Sequence, residues 1–232
     1  MKAAFRQPGF PLLFGGLLAS MIGDSLMLIV LAIWVKELTG SAGAAGLTFF
    51  FMALPSLVSP VFGMFVDRVR RRPMLIWGNL VTGAALLPLF AVHSRADVWI
   101  IYVVALLYGV SWTVLPAALN GLLKELMPED MLVDANASLQ TTKEGLRLFG
   151  PVLGAGLYTW LGGSAVAVVD IASFVIAAAT VVALKLREER PTREEGEWRQ
   201  EFMAGIRHIG SDLVLKHTLI AIAVALLVVG FM

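Results

Sequence analysis

The sequence contains no cysteine and only three histidines among its 232 residues. The absence of cysteine excludes disulfide bonds and thiolate metal sites. His93, His208 and His217 are scattered along the chain, and none has a partner at the spacing that metal ligands require. The sequence also lacks the G-x-x-x-x-G-K-[ST] motif of a nucleotide-binding loop and any pairing of a nucleophile with a base. We therefore expect a protein that is not an enzyme and that has no metal and no cofactor.

Charge is also scarce, since 15% of the residues are charged and 58% are hydrophobic. A soluble domain has nearly half apolar and about a quarter charged residues, so this composition indicates a protein embedded in a lipid bilayer. The net charge of +1 gives no indication of a nucleic-acid partner.

Long apolar runs dominate the chain. A helix that crosses a bilayer needs roughly 20 mostly apolar residues. Six stretches meet that need, at 10–35, 43–66, 74–92, 98–119, 140–161 and 164–185. The first run continues past Asp24. Because the whole run is too long for the apolar region of a cleavable signal peptide, we predict a retained span. A seventh run begins at His217 and reaches Met232, which is marginal for a crossing.

The polar stretches between the runs predict the domain organisation. The stretch LKELMPEDMLVDAN (123–136) is acidic, and its Pro128 and Asp134 suit helix ends. The longest of them, residues 187–212, is dense in both signs of charge and is typical of a solvated linker with a surface helix. We predict an all-α membrane protein with a six-span helical bundle at 1–185. A cytoplasmic central linker at 186–216 and an incomplete seventh transmembrane helix at 217–232 are expected to follow.

The distribution of positive charge predicts the orientation of these spans. If the chain crosses the membrane once in each span, all but two of the 18 lysines and arginines lie on the same face of the membrane as the N-terminus. The two exceptions are Lys36 and Arg95. Because lysine and arginine are enriched in cytoplasmic loops, we predict a multi-pass protein of the cell (inner or plasma) membrane with a cytoplasmic N-terminus.

The turn between the second and third spans, FGMFVDRVRRRPML, is the most charged short stretch of the bundle. A carboxylate at the end of a membrane helix is costly unless it meets a cation or the N-terminus of another helix. Gly63, one turn before Asp67, is expected to let another helix approach closely. Such a cluster can join two helix ends and release them, or it can serve only to orient the spans. Its ordered residues are Gly63, Asp67, Arg68, Arg71 and Arg72.

This turn resembles the motif G-x-x-x-D-R-x-G-R-R/K of the major facilitator superfamily, with Arg70 in place of the internal glycine. The departure resembles the macrolide-efflux and enterobactin-exporter branch, as do GDSLMLIVLAIWVKELTGS (23–41) and MPEDMLVDANASL (127–139). The resemblance implies a small-molecule transporter built from two six-span halves, each with two inverted three-helix repeats. It also implies that a C-terminal half is missing from this chain, and that the arginine turn acts in conformational switching.

Two charged residues inside predicted spans are candidates for coupling to protons or substrate. Asp24 lies near the middle of the first span, where a carboxyl that gains and loses a proton is what proton-coupled transport needs. The alternative is a structural carboxyl that is hydrogen-bonded to a neighbouring helix. Arg147 lies two turns into the fifth span, where it either snorkels to the interface or lines a cavity. Asp170 is expected at the outer interface, as a carboxylate near a helix start.

The fifth span contains GPVLGAGL (150–157), which resembles the antiporter motif G-x-x-x-G-P-x-x-G-G. Gly150, Pro151 and Gly154 match, whereas Leu146 and Ala155 replace its first and last glycines. A proline bends a helix and small residues allow close packing, so these three residues form a candidate helix-bend motif. The resemblance favours an exporter.

In the fourth span, Gly109 matches a glycine of many proton-coupled exporters, but Ala105 stands where those proteins have an arginine. If protons drive transport, Asp24 must therefore act with other partners. The predicted function is the export of amphipathic compounds, drug-like or siderophore-like, driven by proton coupling and alternating access. The alternative is a six-span membrane scaffold or channel component that transports nothing by itself.

Overall fold

The computed structural model describes residues 4–184, and this part of the chain is helical, with no strand. The predicted linker (186–216) and incomplete seventh span (217–232) lie outside the described residues. Short 3-10 segments join α2 to α3 and α4 to α5. The α-helices are α1 (Phe10–Thr39), α2 (Ala42–Ala53), α3 (Ser59–Val66), α4 (Arg71–Ala85), α5 (Val98–Leu126) and α6 (Glu129–Ala183).

Glycine and serine define the two ends of α1 and the start of α2. Helix α1 begins after Gly9 (φ 89°) and ends at Gly40 (φ 70°), both in the left-handed region that favours glycine. The Gly40 N–H donates to the carbonyl of Lys36 at 2.8 Å. Ser41 then accepts a hydrogen bond from the Ala44 N–H and caps α2. The sharp turn between the first two helices therefore follows from local sequence.

Prolines interrupt the second helical stretch. Pro55 lies in the 3-10 segment Leu54–Val58, and Pro60 lies in the first turn of α3. Because proline has no N–H to donate to the preceding turn, the α-helix is interrupted there by the 3-10 segment. Helices α2 and α3 together still form one apolar stretch, Ala42–Val66.

Within residues 4–184, five helical stretches are long and apolar enough to cross a bilayer, judged by length and composition. These are Phe10–Thr39, Ala42–Val66, Arg71–Ala91, Arg95–Leu126 and Glu129–Ala183.

The last of these stretches, α6, reverses direction at Gly162. A straight helix of its 55 residues would be about 80 Å long, far more than the roughly 30 Å hydrocarbon core of a bilayer. Gly162 has φ 79° and ψ 170°, which is not helical. Leu139 and Val181, from the two parts of α6, belong to the same buried cluster as Phe10. The segments 129–161 and 163–183 therefore run in opposite directions along the bundle.

The stretch from Leu123 to Asn136 differs from the prediction. It was expected to separate two spans and to contain a helix end at Asp134. Instead, α5 continues to Leu126 and α6 begins at Glu129, so only Met127 and Pro128 separate the helices. Pro128 is compatible with this position because the first residues of a helix need no N–H partner within it.

Helix α1 packs mainly against α6, α4 contacts both α5 and α6, and α2 contacts α5 and α1. Two buried apolar clusters lie toward opposite ends of this bundle, because one contains the start of α1 and the other its second half. The first cluster includes Met27, Trp34, Leu86, Ile101, Tyr108 and Phe174. The second includes Phe10, Leu13, Leu75, Leu122, Val181 and Leu184.

Candidate functional site

Three helices bring polar side chains together in the interior of the bundle. The Tyr108 hydroxyl of α5 lies 2.6 Å from Asp24 Oδ1 of α1 and 2.7 Å from Asp170 Oδ2 of α6. The Ser173 hydroxyl lies 2.7 Å from the Asp170 carbonyl and 3.2 Å from Asp170 Oδ1. Tyr108 is 1% exposed and Asp170 is 0% exposed. We call Asp24, Tyr108, Asp170 and Ser173 the acidic cluster.

The two contacts of the Tyr108 hydroxyl limit how many hydrogens the hydroxyl and the two carboxyls must hold between them. A phenol hydroxyl has one hydrogen, so it can donate to only one of the two carboxyls. The second contact is a hydrogen bond only if the other carboxyl is protonated and donates to the phenol oxygen.

Electrostatics favours the same arrangement. The two carboxyl oxygens lie no more than about 5.3 Å apart, since both contact one hydroxyl, and two full negative charges there would repel by about 3 kcal/mol at a dielectric constant of about 20. The geometry therefore corresponds to a pair of carboxyls that share at least one proton.

Aromatic rings and a missing side chain enclose the acidic cluster. The Tyr108 ring packs edge-on against Phe174 at 6.0 Å and lies 5.8 Å from Trp112. A Cβ at Gly23 would collide with the Asp170 carboxyl and the Ser173 hydroxyl. Glycine at position 23 is therefore what allows the Asp170 carboxyl to approach the backbone of α1 beside Asp24.

The predicted coupling residues Asp24 and Arg147 have different surroundings. Asp24 is in the acidic cluster. Arg147 has a side chain that is 75% exposed, and its Nη1 lies 3.9 Å from Glu144 Oε2. The cation that acts electrostatically on Asp24 is Lys143, one helical turn before Arg147. The described part of the chain thus brings Asp24 together with Tyr108 and Asp170, and does not pair it with Arg147.

A second group of polar contacts lies at the end of the bundle where α4 begins. Arg71 Nη1 lies 3.1 Å from Glu125 Oε1, near the end of α5. Arg72 donates from Nε to the Val181 carbonyl at 3.2 Å and from Nη2 to the Val182 carbonyl at 2.7 Å. These carbonyls are in the last turn of α6, where the helix has no intrahelical donors for them. We call Arg71, Arg72, Glu125, Val181 and Val182 the helix-end cluster.

The other residues of the arginine turn lie beside this cluster. Asp67 directly follows α3, and its N–H donates to the Gly63 carbonyl at 3.0 Å. Asp67 also lines a polar cavity with Arg71 and with Lys124 and Glu125 of α5. Arg68 lies in the turn between α3 and α4. Among the described residues, no atom comes within 4 Å of a Cβ built at Gly63, so the close approach expected there is not seen.

The candidate helix-bend motif lies where α6 packs against α1. A Cβ at Gly150 would lie 2.5 Å from the Ser25 side chain, and one at Gly154 would lie 2.5 Å from the Leu26 carbonyl oxygen. Pro151 lies inside α6 between these contacts. The two glycines therefore bring the two helices together one and two residues beyond Asp24.

The sequence reasoning missed Tyr108 and misplaced Asp170. Tyr108 was not among the predicted site residues. Asp170 was expected at the outer interface, which is wrong because it is fully buried. Depth along the helices would have been a usable indication. Asp24 lies about 20 Å along α1 from Phe10, and Asp170 lies about 20 Å along α6 from Leu184. Phe10 and Leu184 belong to the same buried cluster.

Comparisons with known proteins agree with a membrane transporter. The family model of the Major Facilitator Superfamily matches residues 12–232. Macrolide efflux protein A of Streptococcus pyogenes is 26% identical over 180 residues, which are 76% of this chain and 44% of that protein. The MFS-type transporter YfiS of Bacillus subtilis is 29% identical over 76% of this chain and 42% of its own length. The lysophospholipid transporter LplT of Yersinia enterocolitica is 26% identical over 204 residues, 84% of this chain and 48% of that protein. The chain thus spans about half the length of these relatives.

Proposed function

The chain belongs to the Major Facilitator Superfamily, which is a family of transporters and not of enzymes, and we propose that it is the N-terminal half of a secondary transporter that exports amphipathic small molecules. The names of two relatives support this proposal, since one is a macrolide efflux protein and another a lysophospholipid transporter. Macrolides and lysophospholipids are both amphipathic. The match to about half of each relative supports a partner half of similar size.

The proposed membrane arrangement has six crossings. Helices α1, α2 with α3, α4 and α5 provide four, and the reversal of α6 at Gly162 supports counting its two segments as two more. We propose that they form two inverted three-helix repeats, followed by the linker at 186–216 and the start of a seventh span at 217–232. The charge distribution supports a cell membrane location with the N-terminus in the cytoplasm.

Proton coupling at Asp24 is the next part of the proposal, and the acidic cluster is the observation that carries it. A carboxyl in the middle of a membrane helix is costly when ionised, and such residues mark proton pathways. The 2.6 Å contact joins Asp24, which is partly buried, to Tyr108, which is 1% exposed. When transport opens this site to water, Asp24 can exchange a proton with it.

Alternating access requires contacts that form in one state and break in another. The helix-end cluster supports such a role for the arginine turn, because it joins the start of α4 to the ends of α5 and α6. Arginine suits these contacts because its planar guanidinium can donate to two acceptors at once. We propose that Gly63, Asp67, Arg68, Arg71 and Arg72 together control the separation of these helix ends.

The test is the export of a radiolabelled macrolide by the complete transporter at different external pH values. Wild type is compared with Asp24→Asn at matched expression, and Asp130→Asn, an exposed residue in the first turn of α6, is the control. We expect Asp24→Asn to lose most of the pH dependence and Asp130→Asn to keep it. If Asp24→Asn responds to pH like wild type, the proton role of Asp24 is wrong.

A further inference from the structure

The second carboxyl of the acidic cluster, Asp170, has no role in the function proposed above. It is fully buried, its Oδ2 lies 2.7 Å from the Tyr108 hydroxyl, and its Oδ1 lies 3.2 Å from the Ser173 hydroxyl. Burial of a carboxyl is unfavourable unless its charge is neutralised or its oxygens are hydrogen-bonded. An ionisable residue in this position, inside a membrane bundle and with named partners, is a candidate functional group.

We propose that Asp24 and Asp170 hold one proton jointly, with Tyr108 between them, so that the pair and not Asp24 alone is the proton-coupling site. This inference rests on the proposed function, because it assigns the groups of its coupling step. The geometry carries it: two short contacts to one hydroxyl need two hydrogens, and Tyr108 supplies one of them. The other is the shared proton.

Release of this proton changes the contact between helices. The O–H bond of the protonated carboxyl breaks, its proton passes to a water molecule that has entered the cluster, and Tyr108 keeps its own hydrogen. Two carboxylates then compete for the one hydrogen of Tyr108 and repel each other. Because Gly23 lets the Asp170 carboxyl lie directly against α1, this repulsion acts between α1 and the segment 163–183. The unprotonated pair therefore favours states in which α1 and the segment 163–183 separate. The protonated pair favours states in which they are in contact.

Few other ionisable groups of the described residues face this pair. Helix α2 has no titratable side chain, and those of α4 are Arg71 and Arg72 in its first turn, within the helix-end cluster. On α5 the group in contact is Tyr108 itself, with Trp112 beside Asp24. From α6, the cation Lys143 acts on Asp24. The local charge is thus set mainly by the two carboxyls.

The test combines infrared spectroscopy and transport with the complete purified transporter. The C=O stretch of protonated carboxylic acids is recorded across a pH titration for wild type, Asp24→Asn, Asp170→Asn and the double variant. We expect a protonated-carboxyl band that disappears as pH rises in wild type and in the control Asp130→Asn. Either single variant should lack this band. Macrolide export should lose its pH dependence in both single variants, with no further loss in the double variant, because both act on one proton.

The outcomes separate this inference from the proposed function. If Asp170→Asn keeps the band and the pH dependence while Asp24→Asn loses them, the shared proton is refuted and coupling at Asp24 stands. If neither variant changes the pH dependence, proton coupling fails and this inference fails with it. If Asp170→Asn does not fold, Tyr108→Phe tests the bridge, because it keeps both carboxyls. We expect Tyr108→Phe to shift the pH of half-maximal export, and an unchanged midpoint would overturn the proposal.

Discussion

The contact between α1 and α6 at Gly154 leads to a prediction that can be measured on its own. A Cβ at position 154 would lie 2.5 Å from the Leu26 carbonyl oxygen and 3.1 Å from its Cα. Both atoms belong to the backbone, so no side-chain rotation can relieve the overlap. Favourable contacts lie at about 3.5–4.0 Å, so Gly154→Ala requires the two helices to move apart by roughly 1 Å.

The magnitude follows from two opposing effects. Overpacking of a well-packed contact costs about 1–3 kcal/mol. Replacement of a helical glycine by alanine gains up to about 1 kcal/mol from helix propensity. Gly156→Ala measures the second effect alone, because Gly156 lies two residues further along α6 and a Cβ there has no neighbour within 4 Å among the described residues. The difference between the two variants is therefore expected to be about 1–3 kcal/mol.

The assay is reversible unfolding of the complete transporter from mild detergent by increasing mole fractions of a denaturing detergent. Helical circular dichroism follows the transition, and both variants are compared with wild type at the same protein concentration. We expect Gly156→Ala to unfold like wild type or at slightly higher denaturant, and Gly154→Ala at lower denaturant. Equal midpoints for the two alanine variants would refute the close packing of α6 on α1.

Three further predictions concern the turn in α6, the arginine turn and the orientation of the chain. Gly162 has a backbone conformation that is nearly restricted to glycine, so Gly162→Ala should lower the free energy of unfolding by about 1–3 kcal/mol in the same assay, with Gly156→Ala as the control. Asp67→Asn in the complete transporter should impair macrolide export at wild-type membrane levels, whereas unchanged export would leave the turn only an orienting role. In a chain without native cysteine, Ser94→Cys should react with an impermeant maleimide from outside intact cells and Asp130→Cys should not; the reverse pattern would contradict the cytoplasmic N-terminus.

Much of the helix arrangement could be predicted because it depends on local chemistry. Apolar runs predicted where the helical stretches lie, since backbone groups in a bilayer must be hydrogen-bonded within the segment. Helix ends could be predicted at Gly40 and Pro128, where a left-handed residue or a missing N–H ends regular structure. Asp134 was assigned wrongly as a helix end, because its acidic surroundings resemble a loop and the first turns of a helix also favour acidic residues.

The sequence by itself determined that this is a multi-span helical protein, and it identified Asp24 as a costly carboxyl inside a span. The tertiary structure alone decided what that carboxyl meets. Tyr108 is 84 residues from Asp24 and 62 from Asp170, and no periodic pattern connects positions that far apart. Their meeting depends on the reversal at Gly162 and on the absence of a side chain at Gly23. Helix positions follow from interactions between near neighbours, whereas a site shared by three helices depends on how their faces pack.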